Sequence, residues 1–378
     1  MWIFIKYEWK YWLKSPMVWI FLIVITLMVF GAVVSDSVMI GGGTGSVHKN
    51  APFVIQTYYA VMSLIGLLMT TAFIHATANR DFEYGMHPFV FSSPVKKHNY
   101  YFGKFIGATT IAFIPLLGVT LGSLIAPLMP WVQASRYGSI VWSGHLNGFL
   151  AFAIPNTLIA AVIVYVLALQ YRSTVVSFIG SMLILVLYVI SSGFTQDIEK
   201  EWLANILDPF GFRPQAIVAK YMTVDEKNAQ AVPFIGAFLM NRLLWVSLAI
   251  TLLLAFYKKF SFALKASRFI KTKQAITIAP EVNANLPFKP IQASKGSKWM
   301  FLLYLIRFET KTIIKNPTFI IIAVIGLLNL VGSITSFTGR YGVDQYPVTY
   351  DVIDSIRGSF FMFIIAIITF YSGVAVWK

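Results

Sequence analysis

Stretches of about twenty apolar residues recur along this chain, and few sequence features restrict a fold so tightly. A hydrocarbon core of ~30 Å takes about 20 residues of helix, and it excludes irregular lipid-facing backbone because no water is there to satisfy the peptide groups. Such runs lie near Met17–Val34, Phe53–Ala78, Phe102–Met129, Gly148–Gln170, Val175–Gly193 and Phe234–Tyr257, with two more near Thr318–Phe337 and Ser355–Trp377. Composition agrees: 12% of residues are charged, against about 25% in soluble domains, and the mean hydropathy is +0.72. The first run exceeds the ~7–15 residue core of a secretory signal and no small-x-small cleavage site follows it, so it reads as an uncleaved span. The expected fold is an all-α, polytopic membrane bundle. Residues 1–260 form a six-span unit, 261–297 a linker containing Pro280, Pro287 and Pro290, and 298–378 the first two spans of a second unit.

Net charge is +15, yet the basic residues sit in short clusters between apolar runs rather than along a groove for phosphates, so nucleic acid is not the expected partner. The clusters are Lys6, Lys10 and Lys14, then Arg80, Lys96, Lys97 and Lys104, then Arg172, and a long set from Lys258 to Lys315. All fall on one side if the N-terminus is inside, as the positive-inside rule requires. Lys49 and Lys227 then lie outside, with Trp131, Trp142 and Trp202 near the outer boundaries. The absence of cysteine excludes disulfides, thiolate metal sites and cysteine nucleophiles.

Before the first span, Trp2, Ile5, Trp9 and Trp12 form one stripe at helical spacing, and Lys6, Lys10 and Lys14 another. This predicts a helix lying on the inner leaflet, broken at Pro16 as the chain turns into the bilayer. Lys6, Glu8, Lys14 and Pro16 recur at one constant offset as Arg307, Glu309, Lys315 and Pro317, again before two spans. The ends of the chain thus read as two copies of one pattern.

The most informative loop joins the second and third spans. It contains Arg80, Asp81, Phe82, Glu83, Tyr84 and Gly85, then Ser92, Ser93, Pro94, Val95, Lys96 and Lys97, then Gly103 and Lys104. An alternating basic-acidic run and a glycine, followed by Ser-Pro, basic residues and Gly-Lys, resembles the first cytoplasmic loop of type-2 ABC exporter permeases. The resemblance covers about residues 1–260 and restarts near Lys298. It implies six spans, an interfacial helix (Trp2, Lys6, Glu8, Trp9, Lys10, Trp12, Lys14, Pro16) and a coupling helix that docks on a separate ATP-binding subunit. It also implies a dimer or pseudo-dimer of units in a bacterial inner membrane, with ATP bound by the partner and no cofactor in this chain. The docking residues would be Arg80, Asp81, Glu83, Tyr84, Gly85, Ser92, Ser93, Pro94, Lys96, Lys97 and Lys104. The pair His87-Pro88 departs from the family pattern and predicts a short helix starting at Pro88. The loop charges are expected to be solvated.

No catalytic residues are expected. The glycine-rich Met39–Gly45 lacks the Gly-Lys-Ser/Thr ending of a phosphate-binding loop, and the five histidines have no metal-ligand spacing. Acidic residues lie outside the spans or at their ends, which argues against coupling to an ion gradient. His75 is either packed or lines a pathway. Pro115 and Pro155 are expected to kink their spans, and Thr195–Val232 forms either short helices or a plain loop. An alternative function is the membrane portion of a larger peptidase, since some relatives carry two permease units followed by a zinc aminopeptidase domain.

Two outcomes are expected. In spheroplasts, a cysteine introduced at position 49 should react with an impermeant thiol reagent and one at 96 should not; the reverse would overturn the topology. The gene should continue past the Lys378 codon into an acidic residue and further spans, or, for the peptidase, to a His-Glu-x-x-His segment, whereas an immediate stop would remove the pseudo-dimer.

Overall fold

A computed structural model of the chain describes residues 1–35, 43, 45–193, 201–262 and 298–314, with scattered positions between 319 and 371. The first of two compact units comprises Met1–Leu264 with Ile334–Pro347, and the second Lys265–Ser333 with Val348–Lys378. The described elements are helical. In the second unit the helix Lys298–Ile314 is described; the expected spans near Thr318–Phe337 and Ser355–Trp377 lie largely outside the described residues.

In the first unit α1 (Trp2–Lys14) gives way at Ser15 to α2 (Pro16–Val34). Ser15 is extended, its hydroxyl accepts from the Met17 N–H, and Pro16 supplies a φ already suited to a first helical turn. Next come α3 (Pro52–Glu83), α4 (His87–Ser92), α5 (Lys97–Ala112) and α6 (Gly118–Ile125). Then follow α7 (Trp142–Gly148), α8 (Ile154–Tyr171), α9 (Thr174–Gly193), α10 (Glu201–Leu207), α11 (Phe212–Val218), α12 (Val224–Ala229) and α13 (Gly236–Lys259). At Pro115 and Pro155 the spans change hydrogen-bonding pattern instead of breaking. A 3₁₀ turn at Pro115–Leu117 joins α5 to α6, and a π-helical segment at Phe149–Ala153 joins α7 to α8.

Among the described residues, five helical stretches are long and apolar enough to cross a membrane: Pro16–Val34, Pro52–Glu83, Lys97–Leu128, Trp142–Tyr171 and Gly236–Lys259. The fifth expected span corresponds to α9, whose apolar part, Thr174–Val189, is shorter than these. The described part of Thr195–Val232 is helical, in α10, α11 and α12.

α3 is the central helix, packed by α5, α7, α8 and α9. It buries Gln56, Ser63, Thr70, Thr71, His75, Thr77 and Asn79 besides its apolar residues. Gln56, Ser63, Thr71, His75 and Thr77 find partners inside the bundle, as burial away from water demands, and the Asn79 amide nitrogen bonds His75 while its Oδ1 has no partner. Gln56 exchanges two bonds with the backbone of Val232, and Thr71 donates to the Leu67 carbonyl.

Close helix approach comes from three Gly-x-x-x-Gly pairs. A methyl group at Gly103 would lie 2.7 Å from Phe4 Cβ, and one at Gly107 2.8 Å from Glu8 Cβ, so this pair seats α1 on α5. At Gly118 and Gly122 it would meet the backbone of α2, reaching 2.5 Å from the Thr26 carbonyl oxygen. Gly144 and Gly148 face Pro52 and Tyr59 of α3 in the same way. Without a hydrophobic drive between helices in lipid, such backbone-level contact is what holds them together.

At the end of the unit away from α4, polar side chains cap exposed backbone. Lys49 is buried and donates to the carbonyls of Val34 and Ser35, closing the C-terminus of α2. Arg136 donates to the carbonyls of Gly43 and Gly45; the other residues of Met39–Gly45 lie outside the described residues. Position 49 is therefore not the freely reactive site expected above, and the exposed Asp225 on α12 is the better label position.

Replacing Gly122 by alanine should lower the thermal midpoint of the purified protein in detergent, by about 1–3 kcal/mol of overpacking. Gly31→Ala on α2, where no neighbouring helix or side chain lies within 4 Å of the added methyl, should not lower it. Equal effects would mean the α2–α6 crossing does not depend on Gly122.

Candidate functional site

The connection between the second and third spans is shorter than the sequence suggested, because both flanking helices run beyond their apolar stretches. α3 continues through Arg80, Asp81 and Phe82 to Glu83, and α5 already begins at Lys97. Between them Tyr84 caps α3 and Gly85 adopts φ +65°, a left-handed conformation suited to glycine after a helix end. α4 then starts at His87, one residue before Pro88, which proline at the second helical position permits. Ser92 and Ser93 donate to the carbonyls of Phe89 and Val90, closing the end of α4, and Pro94 follows.

The loop charges divide into two groups, and here the expectation of solvated charges fails for one of them. Arg80 and Lys104 are buried and Asp81 is partly buried, whereas Glu83 and Lys96 are exposed and Lys97 lies 4.5 Å over the Tyr257 ring. Arg80 Nη2 donates to Glu8 Oε1 at 2.5 Å, and Glu8 on α1 has no exposed surface. The guanidinium also lies 4.1 Å over the Tyr11 ring and 5.3 Å over that of Tyr7. Asp81, the next residue, points the other way. It accepts from Lys104 Nζ at 2.6 Å and from the Tyr100 hydroxyl at 2.8 Å, both on α5. Adjacent residues of opposite sign thus staple the end of α3 to α1 on one side and to α5 on the other.

Glu8 sits where Gly107 leaves room for its Cβ. Its second oxygen accepts from Thr77, whose own hydroxyl accepts from the Trp12 indole. Burial holds the Glu8 carboxyl above its usual pKa, and the cations of Arg80 and Lys104 offset only part of that rise. The α1 helix is therefore anchored by Ile5, Glu8 and Trp12, with Trp9 bonded to Thr110, while Trp2, Lys6, Lys10 and Lys14 remain exposed. Of the expected tryptophan stripe, Trp12 is buried, Trp9 partly so and Trp2 outside it.

Aromatic rings fix the base of α4. Phe91 packs edge-on to Phe82 and Tyr100 and stacks on Phe262 at 4.6 Å, and His87 lies 5.0 Å from Phe82. Arg172, which ends α8 in the left-handed region, covers the other side of Phe82 at 4.0 Å. The opposite surface carries exposed apolar groups: Tyr84 is 73% exposed, Phe89 70% and Met86 50%. Tyr84 and Met86 stand on the turn between α3 and α4, and Phe89 on α4 itself. Of the expected docking residues, Glu83, Tyr84, Gly85, Ser92, Pro94 and Lys96 are exposed, Ser93 and Lys97 are partly buried, and Arg80, Asp81 and Lys104 belong to the ion pairs beneath. Met86 and Phe89 escaped the sequence reading, although two large apolar residues in a charged connection between spans were the available signal.

His75 is packed between α3 and α9. Its two ring nitrogens pair with Ser177 and Thr174, each at 2.9 Å. Among the described residues no group of three or more His, Asp or Glu side chains could hold a metal ion. No protein-family model matches the chain, and no curated protein matches it.

Removing one partner of a buried pair leaves an uncompensated charge, so Arg80→Ala should cost about 3–5 kcal/mol, and Glu83→Ala should stay within about ±0.5 kcal/mol. Thermal unfolding in detergent reads both. A tolerated Arg80→Ala would show that the staple is solvated.

Proposed function

We propose that this chain is the membrane-spanning permease component of an ATP-driven exporter, docking through α4 and its flanks on a separate ATP-binding subunit. The observation that carries this reading is the exposed Tyr84, Met86 and Phe89 surface on a base fixed by ion pairs and stacked rings. A docking element must transmit force, and transmission needs both a sticky tip and a stiff root. The tip here is apolar and rimmed by Glu83 and Lys96, so a partner groove with an apolar floor and charges of both signs would receive it. The staple is the root, and it carries motion of α4 directly into α1, α3 and α5.

Six spans in the first unit, an N-terminus on the cytoplasmic side of a bacterial inner membrane and a pairing of two such units complete the proposal. The basic clusters at the α4 end support the orientation. The exposed lysines of α1 beside Trp2 and Trp19 suit contact with an anionic inner leaflet. ATP belongs to the partner.

Phe89→Ala with Met86→Ala should leave the amount of protein in the membrane intact and reduce co-purification of the ATP-binding subunit by at least about tenfold, as loss of a binding hot spot does. Glu83→Ala with Lys96→Ala and Lys97→Ala should weaken it less. Tyr221→Ala, an equally exposed aromatic at the far end, should do nothing. Retention of the subunit by the Phe89/Met86 variant would remove the main support for this reading.

A further inference from the structure

A second buried ionic centre lies at the end of the unit away from α4, around Arg242 near the start of α13. Arg242 is 2% exposed, and all five of its N–H groups are engaged. Nη1 donates to Asn156 Oδ1 on α8 at 2.7 Å and to the Phe210 carbonyl at 3.1 Å. Nη2 donates to the Pro209 carbonyl at 3.2 Å and to Asn241 Oδ1, and Nε donates to Asn241 Oδ1 at 2.9 Å. No carboxylate is among these acceptors. The nearby Asp208 uses its oxygens instead to build the turn, accepting from the N–H groups of Phe210 and Arg213 at 2.9 and 2.8 Å.

Each residue of Asp208-Pro209-Phe210-Gly211 has a part in this. Asp208 closes the turn into α11, and Pro209 and Phe210 present their carbonyls to the guanidinium. Gly211, at φ +81°, leaves the space the guanidinium occupies: a methyl group there would lie 2.5 Å from Arg242 Cζ. The rest of the segment is held alike, by side chains bonding to its backbone. Asn241 donates to the carbonyls of Asn205 and Asp208, Trp245 to that of Ile206, and Asn156 to that of Phe210 and to Ser63 on α3.

We infer that Arg242 and the Asp208–Gly211 turn form a releasable outer latch, which in its closed state ties α8 and α13 together at the end of the unit away from α4. The reasoning rests on the kind of bond used. A guanidinium locked to a buried carboxylate is costly to separate, because each charge is left unpaired. Here the direct acceptors are neutral carbonyl and amide oxygens, and the buried Asp208 carboxylate attracts the guanidinium without bonding to it; entering water can replace those oxygens and solvate both charges in the same step. Opening then needs only wetting of the site, and closing expels that water again. Arginine is required because its planar fork reaches acceptors on α8, on α13 and in the turn at once, which a lysine ammonium cannot do.

This inference rests on the transport reading for its role and can be tested apart from it. Ala204 on α10 is fully buried, and the chain has no other thiol once Ala204→Cys is introduced. In nanodiscs containing the complex with its ATP-binding subunit, reaction of this cysteine with an impermeant maleimide should be slow without nucleotide and at least about tenfold faster during ATP turnover. Arg242→Gln should react fast in both conditions, and Arg242→Lys at an intermediate rate. Asn156→Ala, which removes one acceptor and leaves the arginine, serves if Arg242→Gln does not fold, and should also react faster without nucleotide. Rates in the Arg242 and Asn156 variants equal to the parent would overturn the latch. A parent rate that ATP does not change, with the subunit bound, would make it a permanent structural lock. Failure of the subunit to bind at all would sink the docking reading while the nucleotide-free comparison still decides the latch.

Discussion

The paired charges of Glu8, Arg80, Asp81 and Lys104 are the constraint on which the α4 end of the first unit depends. Two cations and two carboxylates balance there on three different helices, all of them buried except the partly buried Asp81. Taking ions out of water is expensive, and their mutual attraction offsets that cost only with good geometry. The geometry is supplied locally. Gly107 lets α1 approach α5 closely enough for Glu8 to be buried, and Tyr11 covers the guanidinium. Any movement that separates α1 from α3 therefore exposes unpaired charge to a low dielectric, so the three helix ends behave as one body. That rigidity steadies the base from which Met86 and, on the six-residue α4, Phe89 stand out.

Much of this was legible in the sequence. The apolar runs located the candidate spans because a span must be apolar over its whole length. The extent of the helices was not legible the same way. Hydropathy stops at Ala78, but α3 runs on to Glu83, since Arg80 and Asp81 find partners on neighbouring helices that a one-dimensional profile does not see. The same blindness made the loop charges look solvated. Lys49 looked like an exposed outer residue, yet the end of α2 leaves carbonyls unpaired and a nearby lysine is the natural group to close them. Glu8 carried a signal that was passed over, being the one acid in a helix otherwise rich in lysine and aromatics.

The glycine pairs were also readable and not read. Gly103/Gly107, Gly118/Gly122 and Gly144/Gly148 share a four-residue spacing, and each marks a helix crossing. Gly103, noted only as part of a Gly-Lys motif, proves to be half of the seat for α1. The Asp208–Gly211 turn lies in the stretch read as short helices or a plain loop, and its part in the structure depends on the distant Arg242. The two ends of the unit thus use charge differently. At the α4 end opposite charges meet directly and stiffen the joint, and at the far end the hydrogen-bond acceptors of the cation are neutral oxygens, with the Asp208 carboxylate attracting it without a direct bond.

The central claim is that α4 seats in an ATP-binding subunit. A photoreactive amino acid placed at position 89 in living cells tests this most directly, with position 221 as the matched exposed site at the far end. The account expects a crosslink from position 89 to a protein carrying the Gly-x-x-x-x-Gly-Lys-Ser/Thr phosphate-binding sequence, mapped by mass spectrometry to a surface groove of that protein, and none from position 221. Crosslinks from position 89 to lipid alone, or equally from both positions, would contradict it.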